Sequence, residues 1–257
     1  MFSVVIPAHN EEAVIAQSLK RLTEGAAPGE FEIIVSCNAC KDGTADIARS
    51  FSGVTVIETD KPGKPNALTR ADQVATAFPR IYLDADILMT AETARELARV
   101  LSQGSIHAAA PRLKVDVQGR SWLLKAYYAI WTRLPYCTQG MVGSGVYALS
   151  EQGRSRFADF PELLAEDDFI RLIFAPHERK TLPDHDFIIA APTSFGALLK
   201  LRRRWERSNR QIDNKYDGIR QNDERNYLPF FKELLFKPFL WLALLVYIYA
   251  IGSSRLA

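Results

Sequence analysis

Cysteine is scarce in this chain, three residues in 257, at positions 37, 40 and 137. So few thiols build no disulfide framework and fit a reducing compartment. Cys37 and Cys40 have the spacing of redox and half-zinc motifs. No second Cys or His pair completes a site, so they read as packing or loop residues. An excess of one charge is missing too. Thirty-two basic and 30 acidic residues leave a net charge of +2, which does not argue for nucleic acid as a partner. The chain runs from Met1 straight into a short apolar stretch ended by Pro7, too brief for the core of a cleaved signal. Internal repeats and low-complexity segments are absent. What remains is an ordinary globular composition, 47% hydrophobic and 24% charged, in a length that suits one large domain or two small ones.

The first hundred residues alternate strand and helix patterns. Residues 2–6 are apolar, β-branched and stopped by a proline, as in a buried parallel strand. Asn10 is placed to cap a helix whose first turn carries Glu11 and Glu12, with Val14, Ile15, Leu19 and Leu22 on its inner face. A Gly/Pro loop leads to a second strand at 32–36, the Asp42-Gly43-Thr44 turn to a second helix, and 54–57 reads as a third strand. The loop 61–65 then precedes a helix over 66–77, and a fourth strand ends at Leu83. Three β-loop-α units in succession predict right-handed crossovers and a mostly parallel sheet with flanking helices. In such sheets ligands bind beyond the carboxyl ends of the strands. Those ends carry Pro7-Ala8-His9-Asn10-Glu11, Ser36-Cys37-Asn38, the loop before Lys64, and Asp84-Ala85-Asp86.

Asp84 and Asp86 hold the most informative spacing. In extended backbone, residues two apart face the same side, so both carboxylates point one way. Paired anions need a cation, and a hard divalent ion with oxygen ligands, Mg2+ or Mn2+, supplies it. The second half is less regular. Helices are expected at 91–101, 163–174 and 198–210, and strands at 107–113, 146–149 and 187–191. An aromatic-rich stretch covers 122–136, and the glycine-rich turn 140–145 follows it.

Six short motifs stand in order: Val4-Val5-Ile6-Pro7-Ala8-His9-Asn10-Glu11-Glu12, Asn38…Asp42-Gly43-Thr44, Gly63-Lys64…Ala67-Leu68, Asp84-Ala85-Asp86, Glu166-Asp167 and Arg204-Trp205. In these the chain resembles glycosyltransferase family 2, over roughly residues 2–210. The resemblance implies a GT-A fold and inverting transfer of a sugar from a nucleotide-diphospho-sugar, with UDP favoured. It assigns Pro7, Ala8, His9, Glu11, Asn38, Lys64, Asp84 and Arg204 to the donor, and Asp86 with Asp84 to the metal. Asp167 becomes the catalytic base, with Asp168 as the alternative and Glu166 beside it, and Trp205, Gly143 and Ser144 fall to the acceptor. Two positions depart from the pattern. Asn38 stands where many relatives carry Asp, and Leu201 stands where they carry Gln; Arg202 or Arg203 is a candidate to compensate for the missing polar group. A nucleotidyltransferase, or an inactive nucleotide-sugar-binding membrane scaffold, is the rival reading.

The carboxyl-terminal part has its own signature. Between Lys200 and Lys237 there are 11 basic and 6 acidic residues, followed by 17 uncharged residues from 238 to 254. A basic flank before an apolar segment with Trp241, Tyr247 and Tyr249 predicts membrane contact from the cytoplasmic side. The expected organisation is a GT-A domain at 1–210 (a donor half to about 103, then an acceptor half), a basic linker at 211–233, and a membrane-associated or transmembrane helix at 234–251. The acceptor expected at that surface is a lipid or a lipid-linked glycan.

Overall fold

A computed structural model describes residues 1–141 and 143–255. The amino-terminal half runs β1 (Ser3–Ala8), α1 (Ile15–Thr23), β2 (Glu32–Asn38), α2 (Thr44–Arg49), β3 (Val54–Thr59), α3 (Lys64–Val74), β4 (Arg80–Leu83) and α4 (Ala91–Leu101). Then follow β5 (Ala108–Asp116), α5 (Trp122–Trp131), α6 (Pro135–Thr138), β6 (Val146–Leu149), α7 (Glu151–Arg154), α8 (Glu166–Leu172) and β7 (Arg179–Ala190). The chain closes with α9 (Phe195–Lys215), α10 (Leu228–Phe236) and α11 (Phe239–Arg255). The strands form one seven-stranded sheet in the order β3-β2-β1-β4-β6-β5-β7, parallel except that β6 is antiparallel to both its neighbours.

The expected α/β architecture is therefore present. β1 is buried at every position, as a central strand between β2 and β4 must be. α1 buries Ile15, Leu19 and Leu22, the i, i+4, i+7 stripe of an inward face, and α3 packs on β1. α4 begins at Thr90, whose hydroxyl accepts the Thr93 N–H, and buries Ala94, Leu97, Ala98 and Leu101. From β1 the chain adds β2 and β3 on one side and then returns to place β4 on the other. The crevice beyond β1 and β4 is thus the point where strand order reverses, the usual ligand position in such sheets.

A buried polar cluster fixes β4 to α3. The Asp72 carboxylate of α3 takes Arg80 Nη1 at 2.6 Å, Arg154 Nε at 2.6 Å and the Tyr82 hydroxyl at 2.7 Å. Every partner is satisfied, which is the condition under which buried charge is tolerated. Above it Tyr82 stacks on Tyr147 at 5.0 Å.

Several expectations change at the element level. Asn10 does not cap α1; it sits in the left-handed region at φ 56°, and its Oδ1 accepts the Lys41 N–H at 2.8 Å, joining the first loop to the second. β7 begins eight residues before the strand expected from 187, because its polar first half pairs with β5 at the sheet edge. α9 continues through residue 210, where a boundary was expected. Part of the glycine-rich turn, Val142, lies outside the described residues.

The segment 234–251 is not one helix. α10 ends at Phe236, Lys237-Pro238 interrupts, and α11 starts at Phe239. No helix among the described residues is long and apolar enough to cross a membrane, so the transmembrane alternative is unsupported. α11 instead packs one side against α5 and α9, where Arg202 donates to the Tyr127 hydroxyl (2.9 Å) and to Ser254 Oγ (3.3 Å). The Arg202 side chain is buried between these helices, so it does not compensate for leucine at position 201.

Candidate active site

The crevice beyond β1 and β4 is a cavity of about 330 Å3 walled by Pro7, Ala8, His9, Glu11, Asn38, Pro62, Gly63, Lys64, Asp84, Ala85 and Asp86. Every donor and metal position expected from the first hundred residues lies in this wall. Three loops meet here, and short hydrogen bonds hold them together. His9 Nδ1 lies 2.6 Å from the Asn38 carbonyl, the Asn38 amide donates to Ala8 O at 2.8 Å, and Asn38 Oδ1 accepts the Gly63 N–H at 3.1 Å. Asn38 is almost fully buried, with both ends of its amide engaged. It joins the three loops and leaves only part of its hydrogen-bonding capacity toward the cavity. The Asp42-Gly43-Thr44 turn is pinned likewise: Glu11 N donates to Thr44 Oγ1 (2.7 Å), and Gly43 N donates to Glu12 Oε2 (2.8 Å).

Asp84 and Asp86 open into the cavity while Ala85 is buried, as the alternation requires. Asp84 N donates to Gly145 O at 2.7 Å, so β4 and the glycine-rich turn are joined at the metal-candidate residue. Gly145 has φ 96°, and a Cβ there would lie 2.9 Å from Ile87 and 3.3 Å from Asp84 Oδ2, which is why this turn needs glycine. Burial holds the Asp86 carboxyl above its ordinary range, and Asp84 pushes it further. Glu11 is raised by burial and then by Asp86, Asp84 and Asp42. Such crowded anions are what a cation relieves. Among the described residues no three Asp, Glu, His or Cys side chains converge into a complete metal set. A two-carboxylate half-site suits an ion that takes its other oxygens from water and a phosphate-bearing substrate, as Mg2+ commonly does.

Lys64, at the first position of α3, connects this half-site to the second half of the chain. Its Nζ lies 2.6 Å from Asp84 Oδ1 and 2.7 Å from Glu166 Oε1, and the Glu166 side chain is 3% exposed. Burial pulls the Lys64 ammonium down, but Asp84, Glu166 and Asp167 more than offset it, leaving its pKa above the ordinary value. Next to Glu166, the Asp167 carboxyl is raised well above the usual range by burial first and then by Glu166, with Lys64 opposing. Asp168 is differently placed: its Oδ1 lies 3.4 Å from Arg171 Nε, one turn along α8. The surroundings of Asp167 thus favour its accepting a proton. Gly143 abuts it, since a Cβ on Gly143 would lie 2.8 Å from Asp167 Cβ.

Glu166, Asp167, Asp168 and Gly143 do not line the cavity itself, and neither do the remaining expected residues. Arg204 is exposed on α9. Trp205 is half-buried and stacks on Trp131 at 5.7 Å and 15°, so α5 covers one face of its ring. Ser144 is half-buried in the turn beside Gly143. Two contributors were not foreseen. One is Arg171, whose i, i+3 spacing from Asp168 was a visible signal. The other is Tyr147, whose buried hydroxyl has no hydrogen-bond partner and whose pKa is raised by burial and then by Glu166. Nothing local marks Tyr147; it reaches the site only because β6 pairs with β4.

Comparison with known proteins agrees with this geometry. A model of glycosyl transferase family 2 matches residues 3–144, more than half of the chain. The chain is similar to glycosyltransferase AglD of Haloferax volcanii, 29% identical over 116 residues; the match covers 42% of this chain and only 19% of that relative. Among solved structures it is similar to mannosyltransferase PcManGT from Pyrobaculum calidifontis in complex with GDP-Man and Mn2+. That likeness has a TM-score of 0.66 and 19% identity, covering 99% of this chain and 72% of the other. S. aureus TarS 1–349 in complex with UDP-GlcNAc aligns with a TM-score of 0.55 and 19% identity over 79% of this chain and 64% of its own. Glucosyl-3-phosphoglycerate synthase from Mycobacterium tuberculosis in complex with UDP aligns at 0.53 and 20% over 75% and 71%.

Proposed function

Because the chain belongs to glycosyl transferase family 2, we propose that it transfers a sugar, with inversion, from a nucleotide-diphospho-sugar to an acceptor hydroxyl. One observation carries the reading: Lys64 bridges Asp84 of the two-carboxylate pair and Glu166 of α8 at 2.6 and 2.7 Å. This puts the donor half-site and the candidate base in one neighbourhood. The loops of His9, Glu11 and Asn38 take the nucleoside, and Lys64 exchanges its carboxylate contacts for the diphosphate. Mg2+ or Mn2+ on Asp84 and Asp86 would supply neutralisation of the charge that develops on the departing diphosphate. Asp167 takes the acceptor hydroxyl's proton as that oxygen attacks the anomeric carbon from the side opposite the diphosphate. Its raised pKa makes it a stronger base than an exposed aspartate.

The acceptor we assign is a lipid or lipid-linked glycan, met at the cytoplasmic face of a membrane. Support comes from the side of α10 and α11 turned away from the protein. Phe231, Leu235, Phe236, Phe239, Leu242 and Leu245 are all more than half exposed there, Phe236 at 84%. Lys232 and Lys237 stand among them. Two short apolar helices broken at a proline, with lysines interspersed, suit lying in a bilayer interface, not crossing it.

The deciding experiment is a thermal-shift panel of UDP-, GDP- and dTDP-sugars with and without Mn2+. Binding to the native state raises the melting temperature by mass action, so one nucleotide should stand out, and only with metal. Indifference to every nucleotide would refute the donor reading.

A further inference from the structure

Behind α8 lies a cluster of arginines that the transfer reaction as derived does not use. Arg179, the first residue of β7, is 7% exposed. Its Nη1 donates to Arg171 O at 3.0 Å and its Nη2 to Asn222 O at 2.7 Å, while the buried Nε has no partner. Among the described residues no carboxylate forms an ion pair with it. Burial, and then the neighbouring Arg171 and Arg225, lower its pKa to about 10. The one carboxylate at the centre of the cluster, Asp223, is already shared. Arg171 Nη1 and Arg225 Nη2 each lie 2.7 Å from it, and Arg220 Nη1 lies 3.6 Å away. Arg171 has a second carboxylate in Asp168 at 3.4 Å and Arg220 has one in Asp213, so within the cluster it is Arg179 that has no ion-pair partner among the described residues, and a buried guanidinium so placed is costly unless an anion completes it.

The cluster adjoins the candidate base. Arg171 stands one turn from Asp168 on α8. The Arg171 and Arg225 guanidiniums lie over the Tyr136 ring at 5.4 and 5.6 Å, and the Tyr136 hydroxyl donates to Gly143 O at 3.3 Å. Gly143 is the residue that abuts Asp167. On the far side Gly140, at φ 71°, lets the turn approach Arg179, whose Nε would lie 3.6 Å from a Cβ placed there. The cluster is reached through Arg225, whose side chain is 29% exposed against 6% for Arg171.

We propose that Arg171, Arg179 and Arg225 form an oxyanion site for a phosphate group carried by the acceptor. The inference rests on α8 bearing the base, since that is what makes this the acceptor side. Guanidinium forks match phosphate oxygens in pairs, and a phosphate here supplies the charge that Asp223 alone does not. The acceptor is then a phosphate monoester or diester whose hydroxyl lies within reach of Asp167.

The test titrates the full chain with inorganic phosphate and, separately, with methyl phosphate at constant ionic strength, reading the melting temperature. UDP with Mn2+ is run alone and together with each. Both phosphates should stabilise the wild type saturably, and their effect should add to that of UDP and Mn2+. Arg225→Gln, at a partly exposed position, should raise the half-saturating phosphate concentration about ten-fold or more. Its response to UDP and Mn2+ should not change, which also shows that the variant is folded. Arg225→Lys should restore only part of the affinity, because an ammonium lacks the fork. A wild type indifferent to phosphate overturns the proposal, as does an equal response from Arg225→Gln. If UDP and Mn2+ abolish the phosphate response, the site belongs to the donor diphosphate and the assignment to the acceptor falls. If inorganic phosphate binds but methyl phosphate does not, the site takes a free anion and the assignment falls equally. Phosphate binding that depends on Arg225 in a protein that binds no nucleotide would leave the anion site standing and remove the donor reading instead.

Discussion

Replacing Asp167 by Asn separates chemistry from binding. The amide is nearly isosteric, and its Oδ1 can still accept the Asp168 N–H that Asp167 Oδ1 takes at 2.9 Å, so the first turn of α8 keeps its geometry. What disappears is the ability to hold a proton. General-base catalysis is worth roughly 100- to 10,000-fold, which is about 3–5 kcal/mol of barrier at 1.36 kcal/mol per ten-fold step. The donor half-site is built by other residues, so the affinity for donor and metal should barely change, and a loss confined to kcat marks an interaction made in the transition state. Stability gives an independent check. Asp167 has a raised folded-state pKa, so its contribution favours folding below the unfolded value and is lost as pH rises through the folded one. Ionising this buried carboxyl therefore costs stability, and Asp167→Asn, which never ionises, should melt at the same temperature as wild type or higher. Asp168→Asn should do the reverse: it loosens the ion pair with Arg171, lowering stability with little effect on kcat. The assay is transfer from radiolabelled donor, alongside calorimetric donor binding, for both variants. Near-normal kcat in Asp167→Asn with loss in Asp168→Asn would move the base to Asp168. Near-normal kcat in both would refute a carboxylate base on α8.

Other outcomes follow from the same geometry. Asp86→Ala should abolish the Mn2+-dependent part of donor stabilisation while leaving the melting temperature of the empty protein unchanged or higher, since burial and Asp84 already disfavour its charged form; unchanged donor affinity with Mn2+ would remove it from the metal. Gly143→Ala places a Cβ 2.8 Å from Asp167 Cβ and should reduce kcat more than donor affinity, checked by steady-state kinetics. Glu178 is held down to about 2, first by its hydrogen bonds from Arg156 and also by the Ala175 N–H, so the stability it contributes is present above about 4.5 and is lost as pH falls toward 2. Urea melts of Glu178→Gln should show a deficit of roughly 1–2 kcal/mol at pH 6, discounted for partial exposure, that shrinks over that acid window. Leu235→Asp with Phe236→Asp should weaken sedimentation with anionic vesicles by about ten-fold or more without changing the melting temperature, because both side chains are largely exposed; a fall in melting temperature instead would make that face part of the folded core.

What was legible from residue order is whatever depends on near neighbours along the chain. Alternating apolar strands and amphipathic helices announced the parallel sheet, because strand and helix periods are local. The placing of Asp84 and Asp86 at a strand end was equally local, and so was the sequence of loops carrying His9, Asn38 and Lys64. Residue order by itself thus determined the fold class and which loops line the cavity beyond β1 and β4. Tertiary structure alone decided how those residues are used. Lys64 meets Glu166 across 102 positions only because α3 and α8 begin beside one another. Asn38, which the resemblance assigns to the donor, is drawn into joining three loops because its neighbours' backbone groups need partners there. Trp205 stacks on Trp131 because α9 folds back on α5, and the chain pattern around either residue says nothing of the other. Among the described residues Arg179 has no ion-pair partner, an outcome of the same kind of long-range packing, in which β7, α8 and the segment at Asp223 converge. Propensity and periodicity act over a few residues, whereas burial, ion pairing and the pKa values that follow from them depend on what the folded chain brings together.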